Sequence, residues 1–229
     1  SGVGRRFISL VGDAELDEGV VWEGIADPAL EGLENALWVV DLNRQSLDRI
    51  IPGIRADVWR QMFDANGWHA IDAKYGKKLQ AAYELPKGEL LRDSIDGMSN
   101  EMYQRLLRVD AATLREWLPR TSEHPDDMAE FIAQWDDDQL QSLLRNLAGH
   151  DFAMLREAFG QADQATGPTV MFAYTLKGWM LPIVGDPQNH SANLNEQQMA
   201  DVREALGIDE SELTARLGPT PPPGDSAST

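Results

Sequence analysis

Residues 6–19 read RFISLVGDAELDEG. An apolar run of strand length, FISLV at 7–11, meets four acids within eight residues, and a helical pattern, EGVVWEGIAD, follows. Acids favour the N-terminus of a helix. An acid at the end of a strand can also hold a metal ion. The choice between these readings decides what the chain does.

Three further runs resemble FISLV: ALWVVD at 36–41, WHAIDA at 68–73 and TVMFAYT at 169–175. They are continuously apolar rather than alternating, the pattern of strands buried on both faces of a parallel sheet. Helical patterns separate them. In RADVWRQMFDAN (55–66) Val58, Met62 and Phe63 fall near helical spacing, and Gly67 is a stop signal. The order β-α-β-α-β predicts an α/β fold with a parallel sheet flanked by helices and right-handed crossovers.

Residues 75–165 carry short helical patterns and no convincing strand, so they read as a helical insertion between the third and fourth strands. DDDQLQSLLRNLAG (136–149) offers an Asp N-cap, leucines 140, 143, 144 and 147, and Gly149 as its stop. LKGWMLPIVGDPQNHSANL (176–194) is irregular and punctuated by Gly and Pro; its segment 176–193 is expected to be mobile without ligand. NEQQMADVREALG (195–207) reads as a helix ending at Gly207. The Pro/Ser-rich end, 217–229, reads as a disordered tail or linker. The domain is then 1–216, and its front, where a strand begins almost at once, reads as incomplete.

The formal net charge is −18, which argues against nucleic acid or an anionic membrane as partner. There is no cysteine, hence no disulfide or thiol chemistry. No stretch approaches a membrane span or a signal peptide, and a cytoplasmic location is the default expectation.

Ligands of parallel sheets collect at the carboxyl ends of strands. Asp13 follows the first run and DLNRQ (41–45) the second. Asp13 and Asn43 both bear oxygen donors, and one crossover of this length can set the two strand ends side by side. Mg²⁺ takes six oxygens and seldom draws all of them from protein. A carboxylate, an amide oxygen, a backbone carbonyl, a water and two phosphate oxygens would complete the set, and the cation would let an acidic protein hold a diphosphate. Among the histidines, His69 reads as structural, His124 as solvated and His150 as a helix cap; His190, in the irregular segment, is open between an exposed loop histidine and a functional one.

The run Gly-Asp-Ala-Glu, then Asn about 30 residues on, resembles the thiamine-diphosphate motif of transketolase-like enzymes. NGWHAI (66–71), YTLKGW (174–179) and HSANL (190–194) resemble later segments of that family. GDAELDE, NRQSLD (43–48), the helical insertion and NLAGHD (146–151) are most similar to the single-chain, homodimeric pyruvate dehydrogenase decarboxylating component. The similarity spans about residues 5–208. It implies a transketolase-like diphosphate-binding domain, with Mg²⁺ on Asp13, Asn43 and the Gln45 carbonyl, and with Gly12 and Ala14 against the diphosphate. The third motif residue is usually Gly; a methyl at Ala14 is expected to crowd the phosphate or demand a changed φ. Glu15, Asp17 and Glu18 read as helix-end acids. The resemblance further implies pyruvate or a related 2-oxo acid as substrate, a dihydrolipoyl acetyltransferase as acetyl acceptor, a catalytic role for His190, and no turnover by this chain alone. A transketolase-type ketol transferase and a non-catalytic acidic interaction module are the alternatives.

Overall fold

The computed structural model describes residues 5–43, 45–46, 49–50, 56–186, 189 and 191–208, with the backbone alone for 45–46 and 49–50. The four apolar runs form one sheet: β1 (Phe7–Gly12), β2 (Ala36–Leu42), β5 (His69–Ala73) and β6 (Thr169–Tyr174). The strand order is β1-β2-β6-β5, and every pairing in it is parallel. Between β2 and β5 lies a two-stranded antiparallel ladder, β3 (Gln45–Ser46) with β4 (Arg49–Ile50), which the apolar pattern did not signal.

The two faces of the sheet pack differently, with the period of two that a pleat imposes. Leu37, Ile71, Ala73 and Met171 point to one face, where they meet Ala158 and Ala162 of α9 (Phe152–Ala162). Val40, Leu42, Val170, Phe172 and Tyr174 point to the other. There α1 (Gly19–Ile25) and α2 (Ala56–Ala65) close over an aromatic cluster. Phe63 sits at its centre, with ring centroids of Trp22, Trp68 and Phe172 between 5.3 and 5.8 Å away. The indoles are satisfied as well as packed: Trp22 Nε1 donates to the Leu16 carbonyl (2.7 Å) and Trp68 Nε1 to the Ile25 carbonyl (3.0 Å).

The buried stripe of α2 is Ala56, Trp59 and Phe63. Val58 and Met62, expected inward beside Phe63, are on the outer side. The 3- and 4-residue steps from Ala56 to Trp59 to Phe63 hold one face of a helix, and the largest rings take it. β1 also departs from expectation. It is the edge strand, and Phe7, Ile8 and Leu10 are exposed; Ile8 and Leu10 lie on the face that α9 covers over β5, β6 and β2 only.

From β5 to β6 the chain runs through the helical insertion: α3 (Lys77–Tyr83), α4 (Gly88–Gly97), α5 (Asn100–Arg108), α6 (Ala111–Trp117), α7 (Pro125–Ile132) and α8 (Asp137–Leu144), then α9. Side-chain caps start several of them: Ser99 for α5, Asp110 for α6, and Asp136 in a reciprocal capping box with Gln139 for α8. Leu140, Leu143 and Leu144 are buried as the spacing predicts. α8 ends at Leu144, however, and Gly149 is not its stop. After β6 the described residues of 176–193 form turns, and α10 (Glu196–Ala205) follows, opened by an Asn195–Gln198 capping box and closed near Gly207 at φ 61°.

Phe63→Ala should lower the free energy of unfolding by about 3–5 kcal/mol, since it empties the centre of the aromatic cluster. Phe152→Ala, at a residue 84% exposed, should change it by less than about 0.5 kcal/mol. Urea unfolding of both variants checks this; equal losses would contradict the packing described.

Candidate functional site at the carboxyl edge of the sheet

In the parallel register Gly12 of β1 stands opposite Asp41 of β2. Asp13 therefore leaves β1 at the edge where Leu42 and Asn43 leave β2, one strand spacing away, roughly 4.8 Å between adjacent strands. The four acids of GDAELDEG part company here. Asp13 is 4% exposed, whereas Glu15, Asp17 and Glu18 face solvent. Asp13 opens a 3₁₀ turn, Asp13–Asp17, and α1 starts only after it, at Gly19. Burying a carboxylate is costly unless a partner compensates, so the one buried acid is the one whose position needs a functional or structural reason.

Ala14 lies in that turn, half-buried, with φ on the ordinary negative side. The methyl thus demands no left-handed backbone, and the expected change of φ does not occur. Gly12 is extended at φ −73°, ψ 153°, a conformation open to any residue.

Asn43 is half-buried and its Nδ2 donates to Asp41 Oδ2 at 3.4 Å. The other Asp41 oxygen accepts from the Thr175 hydroxyl, and the Thr175 N–H donates to the Leu42 carbonyl at 3.2 Å. A chain of polar contacts thus runs along the edge from the end of β2 to the end of β6. Asp41 was not singled out from sequence. The signal was there: a carboxylate closing an otherwise apolar strand, WVVD. Gln45 contributes its backbone to β3, opposite Ile50. His190 lies outside the described residues, as do Arg44, Leu47 and Asp48 of NRQSLD.

The same edge continues to a second cluster, NLAGHD at 146–151. Asn146 Oδ1 accepts from the Lys78 N–H (2.8 Å) at the start of α3. Asp151 Oδ2 accepts from the Lys77 N–H (2.8 Å), while its Oδ1 accepts from Ala153 and Met154 at the start of α9. Asp151, not His150, is the helix cap. Gly149 passes so close to the end of β6 that a Cβ there would lie 2.6 Å from the Tyr174 carbonyl oxygen and 2.5 Å from Thr175 Cγ2. His150 Nε2 accepts from the Leu176 N–H (2.7 Å), and its ring stacks on Trp179 with centroids 4.5 Å apart and planes 6° from parallel. Four residues of this six-residue stretch, Asn146, Gly149, His150 and Asp151, therefore fasten α3, α9 and the segment after β6 to one point. His69, expected to be structural, is instead exposed on the wall of a hollow of about 710 Å³ at the opposite, amino edge of the sheet.

Among the described residues no group of three or more His, Asp or Glu side chains could hold a metal ion by itself. Nor, among them, is any helix long and apolar enough to cross a membrane.

The fold and edge define an α/β protein whose candidate site is formed by loops leaving adjacent parallel strands. No family model matches the chain. Its sequence is similar to pyruvate dehydrogenase E1 components over most of its length. The identity is 27% over 206 residues to that of Escherichia coli, covering 87% of this chain and 22% of the relative. It is 28% over 190 residues to that of Cupriavidus necator, covering 81% and 20%. The resemblance read from the motifs is borne out by these relatives, of whose length the chain spans about a fifth. Among solved structures, a transketolase from Campylobacter jejuni superposes with a TM-score of 0.49 at 17% identity, covering 90% of this chain and 21% of that one.

Burial holds the His150 imidazole below its ordinary value, against a smaller opposing pull from Asp41. The lone pair that accepts from Leu176 also requires the neutral ring. A folded-state value below the unfolded one means stability that is present above about pH 6.5 and is lost as pH falls through the lowered value. His150→Gln keeps an acceptor but does not titrate. The thermal midpoint of the native chain should fall more steeply than that of the variant between about pH 7 and 5; parallel curves would contradict the neutral acceptor. Gly149→Ala should destabilise by about 1–3 kcal/mol in urea unfolding through overpacking against Tyr174 and Thr175; a neutral effect would contradict the close approach.

Proposed function

We propose that the chain binds thiamine diphosphate through Mg²⁺ at the carboxyl ends of β1 and β2, as part of a 2-oxo acid dehydrogenase decarboxylating component. The observation that carries this reading is Asp13. It alone of the four acids in its segment is buried, and it stands at a strand end beside the strand that leads to Asn43, in a chain similar to pyruvate dehydrogenase E1 components.

The donor set fits a hard cation. Asp13 would supply a carboxylate oxygen, Asn43 its amide oxygen and Gln45 its backbone carbonyl, with water and diphosphate oxygens completing an octahedron. Asn43 Nδ2 donates to Asp41, which orients the amide. Asp41 is in turn held by Thr175. Gly12 offers a backbone without a side chain near the diphosphate. The ordinary φ of Ala14 leaves only the bulk of its methyl, not backbone strain, to weigh against affinity. The exposed Glu15, Asp17 and Glu18 keep their charges in solvent, where they oppose a bound diphosphate less than buried acids would.

When bound, the thiazolium ring of the cofactor supplies the electron sink for decarboxylation. The chain's own part is to fix the diphosphate end and to set the direction in which the rest of the cofactor extends. Pyruvate or a related 2-oxo acid as substrate, a dihydrolipoyl acetyltransferase as acceptor, and a homodimer belong to the same reading. His190 is the residue we assign to orienting substrate or donating a proton.

Calorimetry with thiamine diphosphate and Mg²⁺ tests the reading without needing turnover. Saturable, Mg²⁺-dependent binding is expected, with Asp13→Ala abolishing it and Asn43→Ala weakening it at least about tenfold, a loss of about 1.4 kcal/mol or more. Binding that persists in Asp13→Ala, or no binding by a folded native chain, would overturn it and favour a non-catalytic acidic module.

A further inference from the structure

The acids of this chain outnumber its bases by 38 to 20. Arg6, Arg60, Lys74, Lys77, Lys87, Arg92, Arg115 and Arg120 each pair with a carboxylate. Lys78 and Arg145 are among the cations that do not. Among the described residues neither has a carboxylate within ion-pair distance. Lys78 Nζ donates to the Ser142 hydroxyl (2.7 Å), and Arg145 Nη2 donates to the Leu107 carbonyl (2.7 Å). Both partners are neutral.

These two cations line one cleft of about 400 Å³. Gln141 and Ser142 of α8, Asn146 and His150 of the 146–151 cluster, and Trp179 also line it. Asp138 lies on the same lining, outside ion-pair distance of either cation. Arg145 is half-buried, and burial lowers its guanidinium below the ordinary value, the mark of a charge that has lost water without gaining a counter-ion. Trp179, stacked on His150, presents a flat apolar wall and is itself 41% exposed. A guanidinium and an ammonium from residues that line one cleft with an aromatic ring make a chemistry suited to an oxyanion: the fork of arginine matches a carboxylate or phosphate, and lysine adds a mobile point charge.

We propose that this cleft between α3, α8 and the Trp179 turn binds a small oxyanion, the carboxylate or phosphate group of a metabolite, held by Lys78 and Arg145. The site is separate from the proposed Mg²⁺ position at Asp13 and Asn43, being formed by the helical insertion and the segment after β6. Its occupation is read by Trp179, whose stacking partner His150 holds the Leu176 N–H. An anion in the cleft therefore bears on the turn that follows β6.

The test uses the full chain without thiamine diphosphate. Inorganic phosphate and acetate are titrated separately at constant ionic strength, with chloride as the balancing ion. The indole N–H of Trp179 and the Nε–H of Arg145 are followed by nuclear magnetic resonance. One of the two oxyanions should shift both signals saturably in the millimolar range, and the tighter of the two identifies the headgroup chemistry. Chloride alone should not, and the indole signals of Trp59 and Trp68 should stay fixed. Lys78→Met should weaken the effect at least about tenfold, and Arg145→Gln should do the same. Should Arg145→Gln fail to fold through loss of its bond to Leu107, Lys78→Met decides alone, since Lys78 Nζ holds only a serine hydroxyl. Asp13→Ala should leave the titration unchanged, which separates this site from the proposed diphosphate site. Shifts no larger than those of chloride, or shifts that persist in Lys78→Met, would overturn the proposal.

Discussion

The sheet is organised around the burial of β6. All six of its residues, Thr169–Tyr174, are buried, so it needs a strand on each side and a packed layer on each face. β2 and β5 supply the sides, and the aromatic cluster and α9 supply the faces. The chain reaches β6 only after the helical insertion, so the insertion must return its end accurately to the centre of the sheet. Asn146, Gly149, His150 and Asp151 do this. They cap α3 and α9, allow the close approach to Tyr174 and hold the Leu176 N–H, two residues beyond the strand. Non-local pairing of this kind is entropically expensive to close, and a dense group of directional polar contacts at the closing point offsets that cost and fixes the register.

The same parallel arrangement creates the candidate site. Adjacent strands that point the same way deliver their following residues to one edge, so Asp13 and Asn43 become neighbours although 30 positions separate them in sequence. Asp41 and Thr175 extend this edge towards β6. The insertion then builds the Lys78–Arg145 cleft farther along, so that the proposed cation site and the proposed oxyanion site share a boundary in the segment after β6.

Much of this was legible in the residues. The four apolar runs are strand-length and continuous, and each became a strand within a residue or two of its apolar limits. The cap of α8 was visible as Asp136; the capping boxes that Gln139 and Gln198 complete emerge only in the structure. Position alone marked Asp13 as different from Glu15, Asp17 and Glu18, and burial then separated them. What the residues did not disclose depends on tertiary neighbours. Val58 and Met62 are as apolar as a core residue should be, but Trp59 competes for the same face and wins by size. The exposure of Ile8 and Leu10 in β1 depends on how far α9 extends, which no local pattern encodes. Gly149 looks like a helix stop because glycines often are; its real constraint is the Tyr174 carbonyl, from a strand 20 residues later. His150 stands beside the true cap, and only the path of the chain after β6 shows what its ring receives.

The central claim is that a divalent cation and a diphosphate meet at the carboxyl ends of β1 and β2. Its most direct test replaces Mg²⁺ with Mn²⁺ and maps paramagnetic broadening of the backbone amide signals in the presence and absence of thiamine diphosphate. The account predicts broadening centred on Gly12, Asp13, Ala14 and Asn43 that requires the cofactor, with Thr169 and His69 at the amino edge unaffected. Broadening centred on the exposed acids of α7 and α8, or broadening indifferent to thiamine diphosphate, would contradict it.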